Sequence, residues 1–216
     1  MRKKHSGQND PGGKDERMIK NIVFDIGNVL TDYAWYAHIH KFGFPEEICE
    51  RLANATVKSP EWGEYDRGVL SDEEIVDSFV ENDPGIEKEI RLMNQDLSTL
   101  VAKVDYAIPW LQELKAKGFH VYYLSNFSRK AEEECVEALD FIPYMDGGIL
   151  SHTVKLIKPD PAIYQCLTDR YGLKPEECVF LDDLPENVEA AKRCGWQGIV
   201  FTTREEADKA LEALMV

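Results

Sequence analysis

Residues 19–25 form the run IKNIVFD, in which mainly apolar residues lead directly into Asp25. Two later runs have the same construction: FHVYYLSN at 119–126 ends in Ser125 and Asn126, and CVFLDD at 178–183 ends in two aspartates. Each run is short, and its apolar residues do not alternate with polar ones, which is typical of strands buried on both faces of a parallel sheet. We therefore predict three buried parallel strands.

Helical patterns separate the predicted strands. Residues 109–117 and 185–194 each begin with a proline and are followed by a glycine, which is a common way for a helix to end. Residues 198–201 predict a further strand, and residues 204–214 a last helix. Strands that alternate with helices predict a doubly wound, Rossmann-like α/β fold with a parallel sheet, whose ligands bind beyond the carboxyl ends of the strands. The polar residues that end the three runs should therefore meet at one edge of the sheet.

The segment 33–100 interrupts this alternation. It contains no convincing strand, but amphipathic helical patterns occur at 34–42, 45–56, 71–80 and 86–100, and Ser71 and Glu74 have the spacing of a capping box. We predict that 33–100 is a small α-helical cap inserted above the strand ends, and that 18–32 and 101–216 form the core. The first 17 residues are rich in glycine and charge and are predicted to be a disordered lead.

Composition excludes some partners. The chain carries 25 basic and 40 acidic residues, a net charge of −15, whereas nucleic-acid binding needs a basic surface. No apolar run reaches the ~20 residues of a membrane span, and the N-terminus has no apolar signal segment. The five cysteines are scattered without metal-ligand spacing, as expected of buried thiols in a reducing compartment. We expect a cytoplasmic protein, a monomer or small homo-oligomer, that binds neither nucleic acid nor membranes.

Three acidic residues follow the predicted strands, namely Asp25, Asp182 and Asp183. Carboxylates that lie close together repel one another, so such a cluster either takes up protons or holds a cation. Oxygen ligands around a site with open positions suit Mg²⁺. The alternative is that these are solvated turn acids that cap the following helices. The recurrence of acids after buried strands favours a metal site.

Candidate anion-binding groups lie in two further segments. Ser125 and Asn126 lead into a predicted helix that begins near Ser128, and a hydroxyl with free N–H groups at a helix N-terminus forms an anion site. Lys158 begins the sequence KPDP, in which two prolines stiffen the approach to a helix that begins near Pro161. The alternatives are an ordinary N-cap serine and a surface lysine. Together these groups supply the local positive charge that an anionic substrate requires.

Four motifs in this order resemble those of the haloacid dehalogenase (HAD) superfamily: FDIGNVL at 24–30, LSN at 124–126, KPD at 158–160 and FLDD at 180–183. The resemblance extends from about Met18 to the end and includes a helical cap between the first two motifs. The stretches DRGVLS at 66–71 and DDLPEN at 182–187 are most similar to small capped phosphatases that act on sugar phosphates such as glucose 1-phosphate.

This resemblance implies a Mg²⁺-dependent phosphatase that hydrolyses a small phosphorylated metabolite, with Asp25 attacking phosphorus to form an aspartyl phosphate. It implies that Mg²⁺ is held by Asp25, the Gly27 carbonyl and Asp183, with Asp182 supporting through water. Asp25, Ser125 and Lys158 are the implied catalytic residues, because Ser125 and Lys158 stabilise charge on the transferred group. The implied phosphate-binding residues are Gly27, Asn28, Ser125, Asn126 and Lys158.

Gly27 departs from the usual HAD phosphatase pattern, which has a second aspartate at this position. That aspartate protonates the leaving oxygen and activates water, a role typically worth 10²–10⁴-fold in rate. Three outcomes are open: a preference for leaving groups that depart easily, replacement by a cap residue such as Asp66 or Glu64, or residual catalysis. Because the sugar-phosphate subgroup also resembles this chain in its Gly-Asn pair, we expect activity.

Other functions remain as alternatives. The chain could be a catalytically weak HAD-fold protein that binds or senses a phosphorylated metabolite. Haloacid dehalogenases also lack the second aspartate, but they need no metal and replace the acidic pair of the fourth motif. A phosphomutase needs efficient proton transfer at the position of Gly27. The retained pair Asp182 and Asp183 therefore favours a phosphatase.

Overall fold

Residues 19–214, which this computed structural model describes, form seven strands, eleven α-helices and three short 3₁₀-helices. The predicted disordered lead at 1–17 lies outside these residues. The strands are β1 (Asn21–Phe24), β2 (Thr31–Tyr33), β3 (Val101–Lys103), β4 (His120–Ser125), β5 (Gly147–Leu150), β6 (Cys178–Asp182) and β7 (Gln197–Val200). The helices are α1 (Trp35–His40), α2 (Glu46–Ala55), α3 (Pro60–Arg67), α4 (Asp72–Asn82), α5 (Glu87–Met93), α6 (Ala107–Ala116), α7 (Arg129–Glu134), α8 (Ser151–Val154), α9 (Pro161–Tyr171), α10 (Pro185–Arg193) and α11 (Arg204–Leu214).

Five strands form one parallel sheet in the order β5-β4-β1-β6-β7. The three apolar runs of the sequence are its three central strands, β4, β1 and β6. Helices connect successive strands, so the predicted doubly wound α/β fold is confirmed. Since all five strands point the same way, the residues that follow β1, β4 and β6 lie at one edge of the sheet.

Both faces of the sheet are buried, which explains why the apolar runs do not alternate with polar residues. Ile22 and Phe24 of β1 pack into one apolar cluster and Val23 into the other, and all three are 0% exposed. Successive strand residues point to opposite faces. Burial of one such side chain contributes about 1.5–3 kcal/mol relative to exposure. The central strands are therefore fixed from both sides.

The edge strand β5 was not predicted, because two of its four residues are glycines, which are depleted in strands. Packing from other elements explains it. A Cβ atom on Gly148 would overlap the ring of Tyr123. The Tyr171 hydroxyl accepts the Gly148 N–H at 2.8 Å and donates to the Gly148 carbonyl at 3.1 Å. Two tyrosines thus determine a strand that has little strand propensity of its own.

Helices α1 to α5 lie between β2 and β3, which pair with each other antiparallel. The capping box at the start of α4 is confirmed, because Glu74 N–H donates to Ser71 Oγ at 3.3 Å and Ser71 N–H donates to Glu74 Oε2 at 2.8 Å. The prediction of a helix over 86–100 was too long, since α5 ends at Met93. The prediction of no strand in 33–100 was wrong at its margin, where Tyr33 ends β2.

Helix α3 was also missed, because its eight residues include Gly63, and glycine has a low helix propensity. Its boundary signals are nevertheless present: Pro60 is the first helical residue, and Gly68 ends the helix with a φ of 66°. A Cβ atom at Gly68 would lie 2.8 Å from Cβ of His152 in α8, so the end of α3 packs closely against the core. Among residues 19–214, no helix is long and apolar enough to cross a lipid bilayer.

We expect Gly148→Ala to destabilise the protein by about 1–3 kcal/mol, the usual cost of forcing an extra carbon into a packed interior. The new methyl group would overlap the base of the Tyr123 ring, which cannot move without displacing β4. Urea unfolding followed by circular dichroism measures the change.

Gly63→Ala in α3 is the matched control. Its new Cβ would meet only the Ile157 Cδ1 atom, at an ordinary contact distance of 3.6 Å. An alanine inside a helix is favoured over glycine by about 0.5–1 kcal/mol. An unchanged urea midpoint in Gly148→Ala would contradict the packing described for β5.

Candidate active site

A cavity of about 290 Å³ opens at the carboxyl edge of the sheet. Asp25 directly follows β1, Ser125 is the last residue of β4, and Asp183 directly follows β6. Seven of the residues singled out from the sequence line this cavity: Asp25, Gly27, Asn28, Ser125, Asn126, Lys158 and Asp183. Residues distant in sequence are therefore brought together at the place where a doubly wound fold binds ligands.

The three acidic residues form a cluster. Asp25, Asp182 and Asp183 each contribute a carboxylate oxygen, and these oxygens lie within 4.8 Å of one another. Burial raises the pKa of Asp25 to about 6, against the opposing charge of Lys158, and the nearby charge of Asp182 adds to the rise. Burial also raises the pKa of Asp183. The cluster is electrostatically costly without a cation.

Lys158 is the cation that the chain itself supplies to this cluster. Its Nζ donates to Asp25 Oδ1 at 2.8 Å and to Asp182 Oδ2 at 2.7 Å, and the residue is 3% exposed. Burial alone would lower the pKa of Lys158, but the two carboxylates outweigh that effect and raise it. The lysine therefore remains charged and holds Asp25 in a fixed orientation.

Asn126 fixes the backbone of this lysine. Its Nδ2 donates to the Lys158 carbonyl at 3.0 Å, and the Lys158 N–H donates to Asn126 Oδ1 at 2.8 Å. The sequence predicted that Asn126 binds phosphate, and the structure shows that its side chain also holds the backbone of Lys158. The residue after β4 thereby positions the lysine beside the residue after β1.

Asp182 lies behind Lys158 and is fully buried. Its Oδ1 accepts the Leu184 N–H at 2.8 Å, and Asn187 Nδ2 lies 3.0 Å from both of its oxygens. Asn187 was not identified from the sequence, although its place in the first turn of α10, five residues after Asp182, is a usable signal. With these partners Asp182 anchors Lys158.

The loop after β1 is tied to the end of β6 through Asn28. This residue has a φ of 57°, in the left-handed region that asparagine tolerates better than most residues. Its Nδ2 donates to Asp183 Oδ2 at 2.9 Å, and its Oδ1 accepts the Tyr33 N–H at 3.1 Å. Beside it, a Cβ atom on Gly27 would meet only Tyr33 Cβ, at 3.9 Å. The loop thus leaves room at the position where a second aspartate is missing.

Of the two cap acids suggested as replacements, only Asp66 lines the cavity. It lies near the end of α3 and is half-buried, because its side chain faces the cavity. Burial raises the pKa of Asp66 to about 7, and the charge of Asp25 adds to that rise. Glu64 is exposed and accepts from Arg67 Nε at 3.1 Å, outside the cavity. Trp62, one turn before Asp66, also lines the cavity.

The residues of the cluster fit a divalent cation. Three carboxylates against one ammonium group leave two negative charges, which is the charge that one Mg²⁺ ion balances. Asp25 accepts the Ile26 N–H and Lys158 Nζ on the same oxygen, Oδ1, and Asp183 accepts from Asn28 Nδ2 on Oδ2. Each therefore has an oxygen for a further ligand. Hard oxygen donors of this kind suit Mg²⁺.

Comparison of the sequence with known proteins identifies a protein family that the chain matches. The sequence profile of the haloacid dehalogenase-like hydrolases matches residues 19–195. A phosphatase of Mycobacterium tuberculosis is 28% identical over 198 residues, which cover 82% of this chain and 84% of that protein. D-ribitol-5-phosphate phosphatase of Bacteroides thetaiotaomicron is 26% identical, with 92% of this chain and 98% of that protein covered. A flavin mononucleotide hydrolase of Arabidopsis thaliana is 23% identical over 92% of this chain and 79% of its own length.

Two solved structures show how widely the fold is shared. A HAD family enzyme from Bacteroides thetaiotaomicron, solved as a magnesium complex, superposes with a TM-score of 0.68 at 22% identity and covers 89% of this chain and 98% of its own. L-2-haloacid dehalogenase from Xanthobacter autotrophicus superposes with a TM-score of 0.64 at 20% identity, over 91% of this chain and 83% of its own. These likenesses concern the fold alone, since the same fold is found in a magnesium-binding HAD enzyme and in a dehalogenase.

We expect Mg²⁺ to raise the melting temperature of the protein. A ligand at 100 times its dissociation constant stabilises the folded state by about 2.7 kcal/mol. For a chain of this size that corresponds to roughly 5–10 °C in a thermal unfolding experiment.

Asp183→Asn should remove most of this stabilisation, because the amide retains the contact with Asn28 but not the negative charge. Asp32→Asn is the matched control, since Asp32 is exposed on β2 and lies outside the cavity. An equal response to Mg²⁺ in all three proteins would contradict a metal site in the acidic cluster.

Proposed function

We propose that this chain, which belongs to the haloacid dehalogenase-like hydrolase family, is a Mg²⁺-dependent phosphatase that hydrolyses a small phosphorylated metabolite through an aspartyl phosphate on Asp25. The observation that carries the proposal is the position of Asp25, held by the buried Lys158 at 2.8 Å and facing the same cavity as Asp183. A fixed carboxylate next to fixed positive charge is what attack on a phosphoryl group requires.

The chain's own residues support the transfer step. One oxygen of Asp25 is held by Lys158 and by the Ile26 N–H, which leaves the other to attack phosphorus. Charge on the phosphoryl oxygens would be met by Lys158, the Ser125 hydroxyl and the backbone N–H of Asn126. Mg²⁺, when bound by Asp25 and Asp183, would neutralise further phosphoryl charge and orient the group. Fixed donors of this kind need no rearrangement when charge develops, which is why they lower the barrier.

The lining of the cavity supports a substrate with a single phosphate. Lys158 is the only basic residue among the described residues that line it, so a second phosphate would meet no cation there. Much of the remaining wall is apolar or aromatic: Val57, Trp62, Leu100, Val101, Phe127 and Leu184. Two relatives are named for compounds with one phosphate, ribitol 5-phosphate and flavin mononucleotide. We infer a monophosphate with an uncharged organic part, and a sugar phosphate in particular.

The segment 33–100 would act as the cap that selects this organic part. Val57 and Trp62 come from the segment and line the same cavity as Asp25. A cap that contributes wall residues encloses the substrate and excludes water during phosphoryl transfer. Selectivity would therefore reside in the helices between β2 and β3, and the chemistry in the sheet edge beneath them.

The alternative of a dehalogenase is disfavoured by the acidic cluster. A haloacid is an anion, and without a metal ion it would approach a site where three carboxylates face a single ammonium group, against net repulsion. A binding or sensor protein would keep the same phosphate site but would not hydrolyse the phosphorylated compound. A phosphatase assay therefore distinguishes the two functions.

We expect the purified protein to release phosphate from p-nitrophenyl phosphate and from sugar monophosphates, only in the presence of Mg²⁺. A sugar bisphosphate should be hydrolysed more slowly than the corresponding monophosphate. Asp25→Asn should abolish release, because the amide cannot form the acyl phosphate. A phosphate-release assay with and without chelator measures all of these rates.

Asp32→Asn serves as the control, because it also exchanges an aspartate for asparagine but lies outside the cavity. Circular dichroism establishes that both variants are folded. Turnover that persists in folded Asp25→Asn would refute the nucleophile. A folded, Mg²⁺-bound wild-type protein that hydrolyses none of these phosphates would favour the binding protein.

A further inference from the structure

The cavity contains polar groups that the acidic cluster and its lysine do not use. Asp66 and Tyr33 both line it, and neither takes part in the contacts among Asp25, Lys158 and Asp182. Tyr33 is the residue nearest to the space beside Gly27, where a proton donor is missing, and Asp66 is near enough to Tyr33 for its charge to raise the Tyr33 pKa. These two groups are therefore candidates for moving a proton to or from the substrate.

Asp66 is held rigidly toward the core. Helix α3 ends one residue after it, and the Gly68 N–H closes the helix on the carbonyls of Glu64 and Tyr65. The Ser151 hydroxyl donates to the Asp66 carbonyl and accepts the Phe127 N–H at 2.9 Å. One hydroxyl therefore connects the end of α3 to the loop that follows β4. The backbone of Asp66 is therefore held at a defined place beside the cavity.

The surroundings of Asp66 favour a protonated carboxyl. The two charged groups that affect it are Asp25, whose charge opposes ionisation, and Lys158, which favours it; an interaction with the Ser128 backbone also favours the charged form. Burial outweighs the favourable contacts and raises the pKa of Asp66 to about 7. The neighbouring Arg67 is paired with Glu64 instead. A carboxyl group that titrates near neutrality is suited to proton transfer in both directions.

Tyr33 provides an independent sign of a polar ligand on this side. Its hydroxyl is buried and has no hydrogen-bond partner among the described residues. Burial raises the pKa of the Tyr33 hydroxyl, and the charge of Asp66 adds to that effect. A buried hydroxyl without a partner costs about 1–3 kcal/mol. A substrate oxygen between Tyr33 and Asp66 would satisfy this donor.

We propose that Asp66, a residue of the helical cap, is the general acid and base of the reaction and takes the role that Gly27 cannot perform. The inference rests on the proposed phosphatase function. Asp66 shares the cavity with Asp25 and approaches it from the cap side. The same cavity is lined by Gly27 and by Tyr33, whose hydroxyl has no partner among the described residues.

The proton transfers balance over the two steps. In the first, an oxygen of Asp25 forms a bond to phosphorus, the bond from phosphorus to the leaving oxygen breaks, and the Asp66 carboxyl gives its proton to that oxygen. In the second, the Asp66 carboxylate takes a proton from water as the water oxygen attacks phosphorus. The acyl phosphate bond breaks, inorganic phosphate leaves, and both aspartates return to their starting states.

Leaving groups of different basicity separate this role from a structural one. A p-nitrophenolate group departs without a proton, whereas a sugar alkoxide needs one. For Asp66→Asn we expect kcat/KM to fall by about 10²–10⁴-fold with the sugar monophosphate that the wild type hydrolyses fastest. With p-nitrophenyl phosphate kcat/KM should fall much less. Glu64→Gln, two residues away on the same helix but outside the cavity, is the matched control and should match the wild type.

The second step gives a readout that does not depend on the leaving group. With p-nitrophenyl phosphate, Asp66→Asn should release about one equivalent of p-nitrophenol rapidly and then turn over slowly, because the acyl phosphate forms but its hydrolysis lacks a base. Stopped-flow absorbance measures the burst. Loss of a merely structural contact would slow both phases together.

A rescue variant tests whether the activity lost in Asp66→Asn is specifically proton transfer. Gly27→Asp in the Asp66→Asn background should restore turnover of the sugar monophosphate at least tenfold, because position 27 has room for a side chain and lies beside the cluster. If Asp66→Asn does not fold, Asp66→Ser takes its place in both assays, with the same expected losses and the same rescue.

The role of Asp66 would be overturned if Asp66→Asn lost equal activity with both substrates, showed no burst and was not rescued by Gly27→Asp. The proposed phosphatase function would be unaffected by that result, provided that Asp25→Asn is inactive. A large gain from Gly27→Asp alone would also overturn it, because proton transfer would then be lacking in the wild type. Absence of any phosphatase activity in the wild type would overturn the proposed function, and this inference with it.

Discussion

The buried ammonium group of Lys158, in contact with Asp25 at 2.8 Å and Asp182 at 2.7 Å, is the interaction on which the site depends. It joins the ends of two neighbouring central strands and offsets part of their mutual repulsion. Removing one partner of such a buried ion pair typically costs about 3–5 kcal/mol, because an uncompensated charge remains. Asn126 holds the lysine from its backbone, and Asn187 holds Asp182 from behind. Asp25 is therefore positioned by a network that includes the buried residues Lys158, Asp182 and Asn187.

The same network sets the charge of the cavity. Lys158 balances only part of the acidic cluster, so the site remains negative and suits a divalent cation. Cation and lysine together would attract a phosphate dianion to a protein whose net charge of −15 would otherwise repel it. The sheet edge thus supplies the acidic cluster and its lysine, while the helices between β2 and β3 supply wall residues against which the rest of a substrate would lie. Proton transfer from Asp66 would make that wall part of the chemistry.

The central strands and their polar ends could be predicted because buried parallel strands are continuous apolar runs, and the residues after them converge by topology. The contacts within the cluster could not be predicted. Sequence motifs suggested that Asp182 supports a metal through water, whereas its oxygens accept from Lys158, Leu184 and Asn187. Strand β5 depends on tyrosines that pack over Gly148, and α3 on the fit of Gly68 against α8. Such elements are determined by tertiary packing, which local propensity does not encode.

The most direct test of the central claim is to locate the covalent intermediate. Protein mixed with substrate and Mg²⁺, quenched within milliseconds and treated with borohydride, converts an aspartyl phosphate into homoserine, which peptide mass spectrometry assigns to a position in the chain. We predict homoserine at position 25, formed only when substrate is present. Rapid phosphate release with an unmodified Asp25, or with the label on another residue, would contradict the account.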